Sequence, residues 1–280
     1  MERINFNQER DLGTILQDSS TFIKQNFLNI MKPTIVVVMI PLLLGTFLMI
    51  AGMQSMYGEM ATMTDPLQVY GAMAGMIPAY ILMMVAFVLA YVMFIGYIKL
   101  YTEGQEDITL SDLTPILKSK GLSLTLSSIA LIIVIYAGMF LCVLPGVYLA
   151  IVLTHFFAIA IIEDKGFGAT WKRSFHLIKD NWWSSFGLYL VTYLIALGIM
   201  ILVYIPAYAI MALDMFSAVK ENDPETMINS MSTTMSYITP FYYIIGLVIS
   251  LLYAVVSSFK YFSLMEQKDG SSERELINKI

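Results

Sequence analysis

Charge is the scarcest property of this 280-residue chain: Asp, Glu, Lys and Arg together supply only 13% of it. A soluble domain carries about twice that share, and a disordered chain more still, so both classes are excluded. Cysteine occurs once, at Cys142 inside an apolar run, which excludes a disulfide scaffold within one chain. Histidine occurs twice, at His155 and His176. An iron site built on four histidines is therefore excluded by count, and a zinc protease lacks its ligands. Positive charge is also short, with a formal net charge of −5 and a pI near 5.0, so no nucleic-acid partner is expected. What is abundant is apolar surface: 58% of residues, with a mean hydropathy of +0.73.

That apolar content is concentrated in charge-free runs at residues 33–53, 77–98, 122–162, 186–213 and 238–259. Each exceeds the roughly 18–20 residues that cross a hydrocarbon core of about 30 Å. The third run would measure about 61 Å as one helix, twice that thickness. Pro145-Gly146 near its middle predicts a turn, because proline lacks a backbone donor and glycine tolerates unusual dihedrals. The run then divides into spans at 122–144 and 147–162, making six. The fourth span is short, and the fifth contains Pro206, which predicts a kink or tilt. The first 32 residues hold eight charges ahead of the first run, unlike a secretory signal, so the N-terminal stretch is expected to be retained. The domain reading is one polytopic membrane domain over 1–265 and a polar cytoplasmic tail over 266–280.

Sorting the basic residues by loop predicts orientation. Fifteen of the sixteen fall on the side of the N-terminus, and only Lys220 falls opposite. The opposite loops carry Glu59, Asp65, Asp214, Glu221, Asp223 and Glu225. Both termini are therefore expected in the cytoplasm.

Two amphipathic segments suggest a repeat. Leu12, Ile15, Leu16, Phe22, Ile23, Phe27 and Ile30 form one helical stripe ahead of the first span. Trp171, Phe175, Ile178 and Trp182 form another within 168–183. A shift of 155 residues aligns the two without a gap, placing Gly13 on Gly168, Ser19 on Ser174, Lys24 on Lys179 and Asn26 on Asn181. A shorter amphipathic piece from Thr109 to Lys118, closed by Gly121, has similar placement. The expected fold is all-α integral membrane: six transmembrane helices arranged as three units, each a cytoplasmic interfacial helix plus a transmembrane hairpin. All units share one orientation, unlike the inverted repeats of many transporters. Trp171, Lys172, Arg173, Trp182 and Trp183 are the expected interfacial anchor. The tryptophans serve either as a headgroup-level belt or as a cation–π cage for a lipid headgroup.

The same stretch carries a resemblance. Pro145-Gly146-Val147-Tyr148, then Glu163, Gly166, Ala169, and Trp171-Lys172-Arg173-Ser174 running on to Trp182-Trp183, follow a recognisable order. This resembles the bacterial integral membrane family named after the membrane domain of glycerophosphoryl diester phosphodiesterases, most closely over 145–190. The resemblance implies a bacterial inner-membrane protein. It implies no esterase activity, because the catalytic barrel of those enzymes is a separate soluble domain with no counterpart here.

No nucleophile elbow, phosphate loop or carboxylate pair accompanies these features, and the span cores contain no Asp, Glu, Lys or Arg. His155, beside Thr154 on the fourth span, is the one possible intramembrane polar site, as a structural histidine or a proton relay. Glu163-Asp164 is expected to cap the following helix. Met53, Met56, Met60 and Met63, with Met227, Met231 and Met235, recur at helical spacing and suit either a soft metal ion or the apolar face of a helix. No catalytic residue and no cofactor are expected. The function expected is a non-enzymatic scaffold or accessory subunit of a membrane complex, in contact with lipids and with other membrane proteins or itself. The alternative is a permease or lipid-handling protein for an apolar or amphiphilic substrate.

Overall fold

A computed structural model of the chain describes residues 3–62, 66–221 and 224–270. Among these residues there are nine helices and no strand: α1 (Leu12–Thr62), α2 (Pro66–Gly75), α3 (Ile77–Thr102), α4 (Leu110–Leu141), α5 (Val143–Leu153), α6 (Phe156–Ile162), α7 (Phe167–Ile178), α8 (Trp182–Glu221) and α9 (Pro224–Asp269). Six stretches are long and apolar enough to cross a membrane, with α5 and α6 together making one of them. The fold is all-α, and its spans are those of a multi-pass membrane protein.

Helix α1 corrects the expected boundary between interfacial helix and span. It is a single helix of 51 residues running through Pro33 and Pro41. At about 1.5 Å per residue it reaches roughly 76 Å, well beyond a hydrocarbon core. Hydropathy changes at Lys32-Pro33 because the solvent preference changes there, but the backbone periodicity continues. The Thr34 hydroxyl donates to the Ile30 carbonyl at 2.7 Å, just where a proline weakens the ladder. The expected middle piece is corrected in the same way. Gly121 closes nothing, and α4 continues through it to Leu141. Its start is sharp, because the Asp112 carboxylate accepts both the backbone N–H of Thr109 at 2.8 Å and its hydroxyl at 2.6 Å.

The hairpin in the long third run turns at Cys142, three residues before the expected place. Cys142 is extended (φ −168°, ψ 140°) between α4 and α5, and Pro145-Gly146 lies inside the first turns of α5. Proline is tolerated there because the first N–H groups of a helix have no intrahelical partner anyway. Gly146 serves packing. A Cβ on it would lie 2.6 Å from the Met139 backbone nitrogen and 2.8 Å from its Cα, and a Cβ on Gly138 would lie 3.1 Å from the Gly146 Cα. Close helix contact of this kind is what holds spans together in lipid, where burial alone gives no preference. Gly146→Ala is expected to destabilise the hairpin by about 1–3 kcal/mol through overpacking. Denaturant titration in bicelles checks this, and an unchanged midpoint would remove the close-contact argument.

The third amphipathic segment is divided as well. Helix α7 ends at Ile178, and Trp182-Trp183 open α8 after a turn in which the Asn181 N–H reaches the Ile178 carbonyl at 2.9 Å. The 155-residue offset survives in the helix starts, Leu12 and Phe167, and in buried pairs: Ile15 with Thr170, Ser19 with Ser174, Phe22 with Leu177 and Ile30 with Ser185. Helix α9 continues to Asp269, into the expected tail, whose residues 271–280 (including Arg274 and Lys279) lie outside the described residues.

The chain divides into two compact units. Unit 1 comprises Met1–Val37, Val88–Tyr193 and Ser250–Ile280, and unit 2 comprises Val38–Phe87 and Leu194–Ile249. Unit 1 has an aromatic core. Phe6 stacks on Phe259 at 4.1 Å between ring centres and meets Phe22 edge-on at 5.2 Å. Phe6 belongs to a non-helical strap, Arg3–Asp11, that precedes α1 and is held by its own charges. Arg3 donates to the Gly104 and Gln105 carbonyls at 3.1 Å and lies over the Tyr101 ring. Buried Arg10 pairs with Asp18 at 2.8 Å, donates to the Phe6 carbonyl at 2.9 Å, and lies over the Phe259 ring. Unit 2 has a smaller core of Met49, Met76 and Ala79, against which Leu48, Met53 and Tyr243 pack.

Candidate functional site

In unit 1 the α6–α7 turn gathers the charges. Glu163 ends α6, and Asp164 follows in the left-handed region at φ 52°. Short polar residues tolerate that conformation better than most. The Glu163 carboxylate accepts from Arg173 Nε at 3.1 Å, from the Tyr261 hydroxyl at 3.0 Å, and from Lys165. Arg173 also pairs with Asp269. Asp164 pairs with Lys120 of α4 at 2.5 Å. The expectation that Glu163-Asp164 caps α7 is therefore corrected. Gly166 holds the cap position, and both carboxylates are taken by charged donors, which bind them more strongly than backbone N–H groups.

The electrostatics follow from those contacts. Burial pushes the Glu163 carboxyl up, but hydrogen bonds from Lys165 and Arg173, the Arg173 charge and the Tyr261 hydroxyl outweigh it and hold the group below the usual range. Burial likewise opposes the Arg173 charge, and Asp269 and Glu163 more than offset that. The hydrogen bond and charge of Lys120 hold Asp164 low. Each carboxylate of the cluster thus has a charged partner.

His155 is fully buried at the break between α5 and α6. The Thr154 hydroxyl donates to the Ile151 carbonyl at 2.7 Å, so its lone pair faces His155 Nδ1 at 3.2 Å. With the proton on Nδ1, Nε2 accepts from the Tyr189 hydroxyl at 3.1 Å. Both ring nitrogens are satisfied in the neutral form. Lys260, the residue directly after the last apolar run, is buried and donates to the Ser184 hydroxyl at 3.0 Å.

The expected anchor residues take different places. Trp171 sits on α7 between Phe167 and Phe175, and Lys172 is exposed beside it. Arg173 is drawn into the Glu163 cluster. Trp182 stacks on Phe186 at 5.3 Å and on Tyr148 at 6.0 Å, while Trp183 is exposed. Trp182 and Trp183 meet edge-on at 4.8 Å between ring centres.

The methionines also separate. Met53 and Met235 line one cavity, of about 240 Å³ and wholly within unit 2, together with Met49, Ile238 and Thr239. The Thr239 hydroxyl spans to the Met53 sulfur at 3.7 Å. Met56, Met227 and Met231 are half-buried elsewhere. Met60 lies near the end of α1, and Met63 lies outside the described residues. Among those residues no three of His, Cys, Asp and Glu converge on one point. The rest of the cavity wall consists of Tyr80, Tyr204, Tyr208, Tyr242 and Tyr243. Sequence reasoning missed this wall because its tyrosines come from three separate helices. The four-residue step from Tyr204 to Tyr208 and the Tyr242-Tyr243 pair were the available signal.

A second concavity belongs to unit 1. It is an open groove of about 670 Å³ along α4, floored by Ser119, Ser123, Ser127 and Ala130 and flanked by Leu122, Leu126 and Phe167, with Lys118 at one end. The Ser127 hydroxyl is spent on the Ser123 carbonyl of its own helix at 2.8 Å, and that of Ser119 on Ile116 at 3.1 Å.

Fold and sites together define a polytopic helical membrane protein whose polar clusters tie its own helices together. Residues 77–265 match the family described as Domain of unknown function (DUF7847), and the chain belongs to that family. No curated protein and no solved structure matches the chain.

Proposed function

We propose that this is a non-enzymatic scaffold or accessory subunit of a membrane complex, seated in the bacterial cytoplasmic membrane with both termini inside. The observation that carries the reading is the α4 groove. Its small residues, three or four apart, let another backbone approach closely, and the hydroxyls of Ser119 and Ser127 are already satisfied within α4. A transmembrane helix of a partner membrane protein fits that chemistry. The distribution of basic residues supports the orientation. The order of residues over 145–190 supports a relation to the membrane-domain family named above, and Trp183 and Trp171 suit an interfacial role among lipids.

Filling the groove tests the proposal. A photo-crosslinker at Leu126 is expected to capture one defined membrane subunit in native membranes, and Ser123→Phe is expected to abolish that capture while leaving the unfolding midpoint unchanged. Capture of lipid alone, in both the parent and the Ser123→Phe chain, would sink it.

The unit 2 cavity favours a second reading, a permease or lipid-handling protein for an amphiphile. Its wall is mostly aromatic and thioether, with few polar groups, which is the usual make-up of a small-molecule site. Movement of a labelled amphiphile in proteoliposomes would favour that reading over the scaffold.

A further inference from the structure

We propose that the unit 2 cavity is a binding site for a small lipophilic ammonium ion bearing at least one N–H. The inference rests on the second reading only in taking the cavity to admit a small amphiphile. Five tyrosine rings wall it, and ring centres lie 5.7 Å apart for Tyr204 and Tyr208, 6.2 Å for Tyr204 and Tyr242, and 5.3 Å for Tyr242 and Tyr243. A cation within about 6 Å of a ring centre is attracted by the negative π face, and several faces around one space form the cage that recognises organic ammonium groups. The remaining wall, including Met49 and Met53, is polarisable and apolar, and suits the ion's hydrocarbon part.

Polar chemistry in the cavity is asymmetric. The Thr239 hydroxyl is spent on the Met235 carbonyl at 2.7 Å. The Tyr204 hydroxyl is buried and has no hydrogen-bond partner among the described residues. A buried hydroxyl without a partner is costly, so a turn of the Tyr204 ring that brings its oxygen to an ammonium N–H in the cavity is favoured. No lysine, arginine or histidine lines the cavity to repel a cation. Unit 2 also carries six acidic residues against Lys220, and so holds the whole formal charge of −5. At about 240 Å³ the space is below the roughly 300–1,000 Å³ of drug-sized pockets, so it fits a small amine or an amine headgroup.

The test is equilibrium dialysis of the full chain in nanodiscs, with empty nanodiscs as the partition control. The probes are N,N-dimethylphenethylamine, protonated at neutral pH, its uncharged carbon isostere isopentylbenzene, and phenethyltrimethylammonium. The protonated amine is expected to bind at least tenfold more tightly than the isostere. Tyr204→Phe, which keeps the ring, is expected to weaken the amine several-fold and leave the quaternary ion unchanged. Tyr242→Leu is expected to weaken both ions. Equal binding of amine and isostere would overturn the proposal by making the cavity a plain apolar pocket, as would indifference of both ions to Tyr242→Leu. Equal loss of both ions in Tyr204→Phe would overturn the N–H requirement. Binding without transport leaves this site standing and ends the permease reading, whereas transport of a neutral amphiphile without ammonium binding does the reverse.

Discussion

Replacing Phe6 by alanine is expected to cost about 3–5 kcal/mol, the usual price of deleting a buried aromatic ring. Phe6 is only 2% exposed. It stacks on Phe259 and meets Phe22, Tyr101 and Phe262 at centre distances between 5.2 and 6.0 Å. Aromatic pairs contribute about 0.5–1.5 kcal/mol beyond burial, so the ring joins the strap to α1, α3 and α9 at once. Without it the strap keeps Arg3 and Arg10, whose bonds to backbone carbonyls and to Asp18 depend on the strap lying in place. Denaturant titration in bicelles reads the loss, and amide exchange over residues 3–11 is expected to accelerate. A loss below about 1 kcal/mol would mean that the strap is dispensable to unit 1, against the range expected for a buried phenylalanine.

Replacing Glu163 by alanine is expected to cost about 3 kcal/mol, because it takes from Arg173 one of its two carboxylate partners in a partly buried site and removes the acceptor of Tyr261. The figure is the low end for a broken buried pair, since Lys165 and Asp269 are partly open to solvent and screened. Glu163→Gln keeps an acceptor for Tyr261 and is expected to lose less. The pH dependence has a definite sign. The folded carboxyl titrates below its ordinary value, so its stabilisation is complete above the usual glutamate range, near pH 4.3, and is lost as pH falls through the lower folded value. Asp164 and Asp11, also held low, act in the same direction. The parent protein is therefore expected to lose more stability on acidification than Glu163→Gln. Identical acid profiles for the two would remove Glu163 from the account.

Local pattern made some of this legible. The apolar stripe from Leu12 to Ile30 is a helix because 3.6-residue periodicity is a property of the segment itself. Thr109 and Asp112 announce the start of α4 for the same reason. Pro145 misled because a proline is compatible with the first turn of a helix as well as with a loop, and the choice depends on what Gly146 touches across the hairpin. Sequence spacing places Arg173 beside Trp171, which suggests a headgroup anchor. Its partners Glu163 and Asp269 lie 10 and 96 residues away. Arg3 and Arg10 counted only as topological charges, since nothing in a non-periodic strap signals that it will fold back onto Phe259.

Composition and periodicity by themselves determined the solvent of each segment, the all-α class and the six apolar spans, because transfer from water to hydrocarbon is summed along a local stretch of chain. The tertiary structure decided which helices touch, and therefore where Glu163 finds its donors and where the five tyrosines line a cavity. In lipid an apolar face gains little by choosing one apolar neighbour over another, so that choice falls to shape and hydrogen bonding between distant segments.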